Sequence, residues 1–204
     1  MKTRWSRSAR LLTAAWLAAL VGAASSVESA KATAGSSLAP SIASLRERAA
    51  AGNADARYDL GVAMLCQRGL ARDPGEAARL LRGAAEQGHA GAQSVLGWML
   101  MSGRGVPRNN TLAAGWLLRA AEAGDTAAQN NLGVLYATGQ GVTHDHAAAE
   151  RWFRAAADQG AEMAAQNLAV LRGGRGDQAP TASRSGGLHP ALAAAGCRAA
   201  ASRS

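Results

Sequence analysis

A short α-solenoid of helix-turn-helix repeats is the fold class that this sequence predicts, and three observations predict it. Gly52, Gly88, Gly124 and Gly160 fall 36 residues apart, as do Leu60, Leu96, Leu132 and Leu168. Within each period two apolar stretches flank a short link containing glycine: QRGL from Gln67, GRGV from Gly103 and GQGV from Gly139. Each period then closes on a matching run, AAEQG, AAEAG or AADQG. A fixed period of this size marks stacked units, each too small to bury its own apolar face, and not one globular core. The expected architecture is all-α: about three full units of two short helices, with flanking helices.

The elements follow in order. Lys2, Arg4, Arg7 and Arg10 precede an apolar run of 14 residues, Leu11 to Ala24, after which the chain turns to Ser and Glu. A positive start, a short apolar block and small residues read as a secretory signal peptide over 1–24, cut after Ala23 or Ala24. The run is shorter than the roughly 20 residues a spanning helix needs, which makes a retained anchor the second reading. A mitochondrial presequence ranks third, because the apolar block is continuous where import signals are amphipathic. No cysteine follows the block to carry a lipid. Residues 25–40 read as a linker, and the repeat domain is expected over 41–172, opening with a half unit from Leu45 to Gly52.

In the first full unit Ala56, Leu60, Gly61 and Met64 share one stripe of a helix at 3.6 residues per turn. Gly61, Gly97 and Gly133 recur inside this first helix, where glycine costs about 1 kcal/mol relative to alanine. A cost repeated in register calls for a packing reason, and close approach of the second helix supplies it. The pairs Ala84-Ala85, Ala120-Ala121 and Ala156-Ala157 point to the same tight crossing. Asp73-Pro74 reads as an N-cap followed by proline at the first helical position. The glycine closing each unit accepts the left-handed backbone of a helix end. GRG and GQG do not follow strands, so these glycines are structural and not a phosphate cradle. A lone closing helix spans Ala161 to Arg172. Residues 173–204, rich in Gly, Ala, Ser and Arg, lack a sustained period and are expected to form a disordered, passive basic tail. His189 to Arg198 could form a nascent helix there.

The pattern A-x-x-x-L-G-x-x-Y-x-x-G-x-G-V, followed by A-x-x-W and A-A-E-x-G, resembles the Sel1-like repeat, a relative of the tetratricopeptide repeat with a slightly longer unit. It recurs over residues 53–160. Met64 and Leu100 stand where the third unit has Tyr136, and Leu80 stands where the others have Trp116 and Trp152; all are apolar swaps. The resemblance implies a curved stack whose first helices line a concave side, the surface on which repeat proteins bind extended ligands. It also implies a scaffold for other proteins, as in periplasmic relatives that assist sensor systems, polysaccharide export or motility. A cysteine-rich branch of the family, suspected of acting on β-lactams, carries a cysteine pair in every repeat. This chain has only Cys66 and Cys197 and does not match it.

Charge and side-chain inventory narrow the chemistry. The formal net charge of +8 suggests an acidic partner until it is placed along the chain: residues 53–160 hold 10 Arg against 10 Asp plus Glu. The excess lies at the two ends, with Arg172, Arg175, Arg184, Arg198 and Arg203 at the C-terminal one. Scattered arginines without interleaved aromatics do not make a nucleic-acid surface. Cys66 shares a register with Ser102 and Thr138, so it reads as a small-residue position. An oxidising compartment could join it to Cys197, but one lies at a helix end and the other in the tail, and spacing alone leaves the pairing open. His144-Asp145-His146 offers two imidazoles where zinc needs three or four converging ligands, and it reads as a solvated helix start. No hydrolase motif or Ser-His-Asp set is evident, and no cofactor, metal or catalytic residue is assigned. Trp116, Trp152 and Phe153 read as core.

What remains is surface. With Leu60 and Met64 turned inward, the first helix sends Tyr58, Asp59, Val62 and Leu65 toward the groove. Their counterparts are Ser94, Val95, Trp98 and Met101, then Asn130, Asn131, Val134 and Ala137. Trp98 replaces valine at its register, so shared packing does not demand it, and tryptophan is a residue type that dominates interface energy. The expected function is an exported scaffold or regulatory adaptor that binds a peptide or protein segment in the groove, without nucleic acid or stable membrane insertion, in the periplasm or outside the cell. Two other classes stay open: a secreted hydrolase acting on cell-wall or β-lactam substrates, and a host-directed effector.

Overall fold

The computed structural model describes residues 41–66, 70–173, 180–181, 189–194 and 197. The segments read as signal peptide and linker, and much of the tail, lie outside the described residues. Every regular element among the described residues is a helix: α1 (Ile42–Ala50), α2 (Ala54–Leu65), α3 (Pro74–Glu86), α4 (Ala90–Ser102), α5 (Asn110–Glu122), α6 (Thr126–Thr138), α7 (His146–Asp158), α8 (Glu162–Gly173) and the short α9 (Pro190–Ala194). Units one to three are α2–α3, α4–α5 and α6–α7, with α1 as the half unit before them and α8 after them. From α1 to α8 each helix packs on the next, and among the first helices α4 also packs on α6 and α6 on α8. None of the described helices is long and apolar enough to cross a membrane.

The period is written into the helix starts. Asn53, His89 and Asp125 cap α2, α4 and α6, and Asp73, Asn109 and Asp145 cap α3, α5 and α7. Each side chain accepts a hydrogen bond from the N–H three residues on, at 2.7–3.1 Å. One N–H orphaned at each of these six helix starts is thereby satisfied, worth about 1 kcal/mol per cap. Asp145 is therefore the cap of α7, and the imidazole of His146 reaches the carbonyl of Leu171 at 3.2 Å. No group of three potential metal ligands occurs among the described residues.

The helical glycines sit where the second helix comes closest. A methyl group at Gly97 would lie 2.6 Å from Cγ of Leu117, and one at Gly133 would lie 2.6 Å from Cε1 of Phe153. Both partners are fully buried, together with Leu81, Leu96, Met99, Leu132 and Leu135. Trp116 and Trp152 are half-buried and not interior; Trp116 covers the cluster from outside with the Arg119 guanidinium 5.0 Å from its ring. A polar stitch joins successive units: Arg57 Nε, Gln93 Nε2 and Gln129 Nε2 donate to the carbonyls of Ala49, Ala85 and Ala121, each at 3.1 Å and each eight residues back.

Candidate functional site: the first-helix face and the tail

The first helices do not present an open face. A part of the tail lies against them, in the reverse of chain order. Thr181 meets α8, His189 meets α4 and the start of α6, and Cys197 meets the end of α2.

At α8 the contact is an amide pairing with main chain. Asn167 Nδ2 donates to the Thr181 carbonyl at 2.7 Å, and the Thr181 N–H donates back to Asn167 Oδ1 at 2.9 Å. A carboxamide holds a peptide unit this way whatever its side chain, because donor and acceptor lie side by side on both partners. The same Nδ2 also donates to Asn130 Oδ1 on α6, at 2.9 Å, which fixes the rotamer of the clamp.

At α4 a chain of hydrogen bonds runs through the His189 ring. Ser94 Oγ donates to Asp125 Oδ1 at 2.7 Å, the same oxygen that caps α6. Its hydrogen spent, Ser94 can only accept from His189 Nε2–H at 3.0 Å. On the far side of the ring Nδ1 accepts the Ala191 N–H at 3.2 Å. This order requires the neutral imidazole with its hydrogen on Nε2, since a second ring proton would point at the Ala191 N–H. Burial disfavours the cation as well: His189 is 0 % exposed, and desolvation, opposed in part by Asp125, pushes its pKa down from 6.5 to about 4. Two residues further on from Pro190, Leu192 is 1 % exposed within the same apolar cluster as Trp98.

A serine, a histidine and an aspartate thus meet, but in the wrong order for nucleophilic catalysis. A triad places the imidazole between hydroxyl and carboxylate. Here the hydroxyl stands in the middle and gives its proton to the carboxylate, so the trio is a structural relay.

The last anchor is covalent. Cys66, the C-cap of α2, and Cys197 form a disulfide with Cα atoms 4.7 Å apart. This answers one question that the sequence left open and corrects one expectation, that of a disordered tail. The cysteines are paired, and within 173–204 Thr181, His189, Leu192 and Cys197 lie against the repeats. Spacing carried no sign of it because the two residues lie 131 apart. His189 and Leu192 are isolated in a segment whose composition otherwise reads as loose.

The residues expected to line the groove meet different fates. Ser94, Trp98 and Asn130 are buried beneath or beside the tail segment; Trp98 is 3 % exposed, edge-on to His189 with ring centroids 6.0 Å apart, and Arg104 sits 5.0 Å from its ring. Val95, Asn131 and Val134 are interior instead of groove-lining. Val134 packs with Phe153, Leu168 and Leu171, because α6 has neighbours on both sides, and α4 likewise keeps no free flank. Val62 is buried too, while Leu65, Met101 and Ala137 are half-buried. Tyr58 stacks on His89 at 4.4 Å, and burial, with Asp125 and Asp59, raises its phenol pKa; Asp59 itself is exposed. Asn167, His189 and Leu192 were not among the residues expected at the groove. Asn167 had a signal, since it repeats the register of Asn131.

The ring chemistry sets a pH dependence. Docking selects neutral His189, so it is complete above the free value of 6.5 and is lost as pH falls toward the docked value of about 4. Asp125 is the charged group acting on the ring, and its carboxylate softens the shift without reversing it. In a Cys66→Ser, Cys197→Ser variant the docking constant should fall about twentyfold between pH 7 and pH 5, read by Trp fluorescence. A His189→Gln change should flatten that slope; an unchanged slope would show that another group titrates.

The repeats have counterparts among known proteins. The Sel1 repeat family model matches residues 54–89, 90–125 and 126–160. A crystal structure of a Sel1 repeat protein from Oxalobacter formigenes is 43 % identical, with a TM-score of 0.56, covering 61 % of this chain and 93 % of that one. A protective antigen of uropathogenic Escherichia coli strains that displays an SLR fold is 37 % identical, with a TM-score of 0.60. That match covers 66 % of this chain but only 29 % of the antigen. A search of curated proteins found no match.

Proposed function

The chain belongs to the Sel1 repeat family, and on that premise we propose that it is an exported scaffold whose first-helix face receives a peptide segment of a partner protein. Sel1 repeats generally serve protein–protein interaction, and the fold is typically a non-catalytic scaffold. The observation that carries the finer reading is the clamp of Asn167 on the Thr181 main chain beside the seat of His189 and Leu192. Here the face holds a segment of polypeptide by backbone pairing, a buried polar relay and an aliphatic side chain. Those are the elements of peptide recognition along a repeat stack. Export rests on the basic start and apolar run of residues 1–24, and it fits a disulfide, which persists in oxidising compartments.

Both halves are testable. Cell fractionation should find the protein in the envelope or medium with a mature N-terminus just after Ala23 or Ala24; a cytoplasmic, uncut chain would end the export reading. Peptides selected from a random display library on the reduced protein should lose binding about tenfold or more in a Tyr58→Ala, Trp98→Ala variant of equal helicity. Equal binding by both proteins would place recognition elsewhere.

A further inference from the structure

We propose that the tail residues His189, Pro190 and Leu192 are a tethered stand-in for the partner peptide, latched by the Cys66–Cys197 bond, and that a dithiol opens the face to the true ligand. The inference rests on the peptide-binding reading above. It identifies the ligand as a segment beginning a short helix at proline with an aliphatic side chain two residues later, the pattern of Pro190 and Leu192.

Three observations carry it. First, the tail occupies the side chains best suited to recognition, Ser94 and Trp98, so nothing else can bind them while it stays. Second, the fit is incomplete: among the described residues, the buried donors Trp98 Nε1 and Asn130 Nδ2 have no acceptor. A buried donor without a partner costs about 1–3 kcal/mol, so a ligand bringing carbonyls to these two groups has an advantage over the tail. Asn130 also borders a gap of about 270 Å³ beside Pro190, shared with the exposed Met163, where a longer segment would fit. Third, both bonded cysteines are half-buried and not interior, so a small reductant can reach them.

The chemistry balances as thiol–disulfide exchange. One thiolate of the dithiol attacks a sulfur of the Cys66–Cys197 bond, giving a mixed disulfide and releasing the other cysteine. The second thiol displaces the first cysteine, leaving two protein thiols and an oxidised, cyclic reagent. Two electrons and two protons pass to the protein. The opened tail remains attached at an effective concentration in the millimolar range, so a ligand competes with it and does not meet an empty face.

The test is fluorescence anisotropy with a labelled synthetic peptide of tail sequence, His189 to Arg198 with Cys197→Ser, added in trans to the full chain. Oxidised protein should bind it about tenfold or more weakly than protein reduced with dithiothreitol. Reduced protein carrying Leu192→Asp, which weakens the internal competitor, should bind tightest, and Trp98→Ala in that background should abolish binding. Circular dichroism confirms that each variant is folded. Absence of binding to the reduced Leu192→Asp protein would overturn the peptide-binding reading itself. Equal binding to oxidised and reduced protein, with the Leu192→Asp arm intact, would overturn the latch alone.

Discussion

Gly141→Ala is expected to destabilise the protein by about 3 kcal/mol or more, from two additive causes. The residue has φ of +77°, a left-handed conformation that costs a side-chain-bearing residue about 1–2 kcal/mol. Its added methyl would also overlap the main chain of Asn110 and Thr111 at the start of α5. Backbone cannot rotate away as a side chain does, so the two units must separate locally, at a further 1–3 kcal/mol or so. Gly105 repeats the arrangement one unit earlier against Pro74. Gly115 is the control: it lies within α5 with nothing within 4 Å of an added methyl. Its change to alanine should stabilise by about 0.5–1 kcal/mol through helix propensity. Urea unfolding followed at 222 nm reads both. If Gly141→Ala unfolded no earlier than wild type, the close approach of link and helix would be wrong.

The second large effect is loss of the Cys66–Cys197 bond. The bond closes a loop with a sequence separation of 131, and chain-entropy reasoning gives about 5 kcal/mol as its limit. The observed loss should be smaller, because a tail freed in the folded protein regains freedom there too. A Cys66→Ser, Cys197→Ser variant should therefore unfold at clearly lower urea than the oxidised wild type and match the reduced wild type. Alkylation and mass measurement would count the thiols. An unfolding midpoint insensitive to reductant would mean that the bond does not form or constrains nothing.

These two cases divide what a reader of the sequence can see. Gly97 and Gly133 announced the tight crossing because they recur in register at a visible cost, and Phe153 and Leu117 fill the space they leave. Asn53, His89 and Asp125 announced the helix starts equally well, once histidine is admitted as a cap; only Asp73, marked by its proline, stood out unaided. Arg57, Gln93 and Gln129 share a register but not a chemistry, so their common bond to a carbonyl eight residues back emerges only in three dimensions. The seat of the tail was not legible at all. His189 and Leu192 belong to no repeat, and their burial depends on a surface assembled from α4 and α6. Trp98 was singled out for lacking a packing reason within its unit; its cover comes from nearly a hundred residues further along the chain.

The bond between α2 and the tail also sets the route of mechanical load. A linear stack of helix pairs, pulled from its two ends, peels open one unit at a time and lengthens like an uncoiling spring. With Cys66 joined to Cys197, tension between the segment before Cys66 and the segment after Cys197 crosses directly from sulfur to sulfur. The repeats from α3 to α8 then hang beside the line of force, slack and folded. The same reduction that frees the tail would bring them into the line and make the protein extensible.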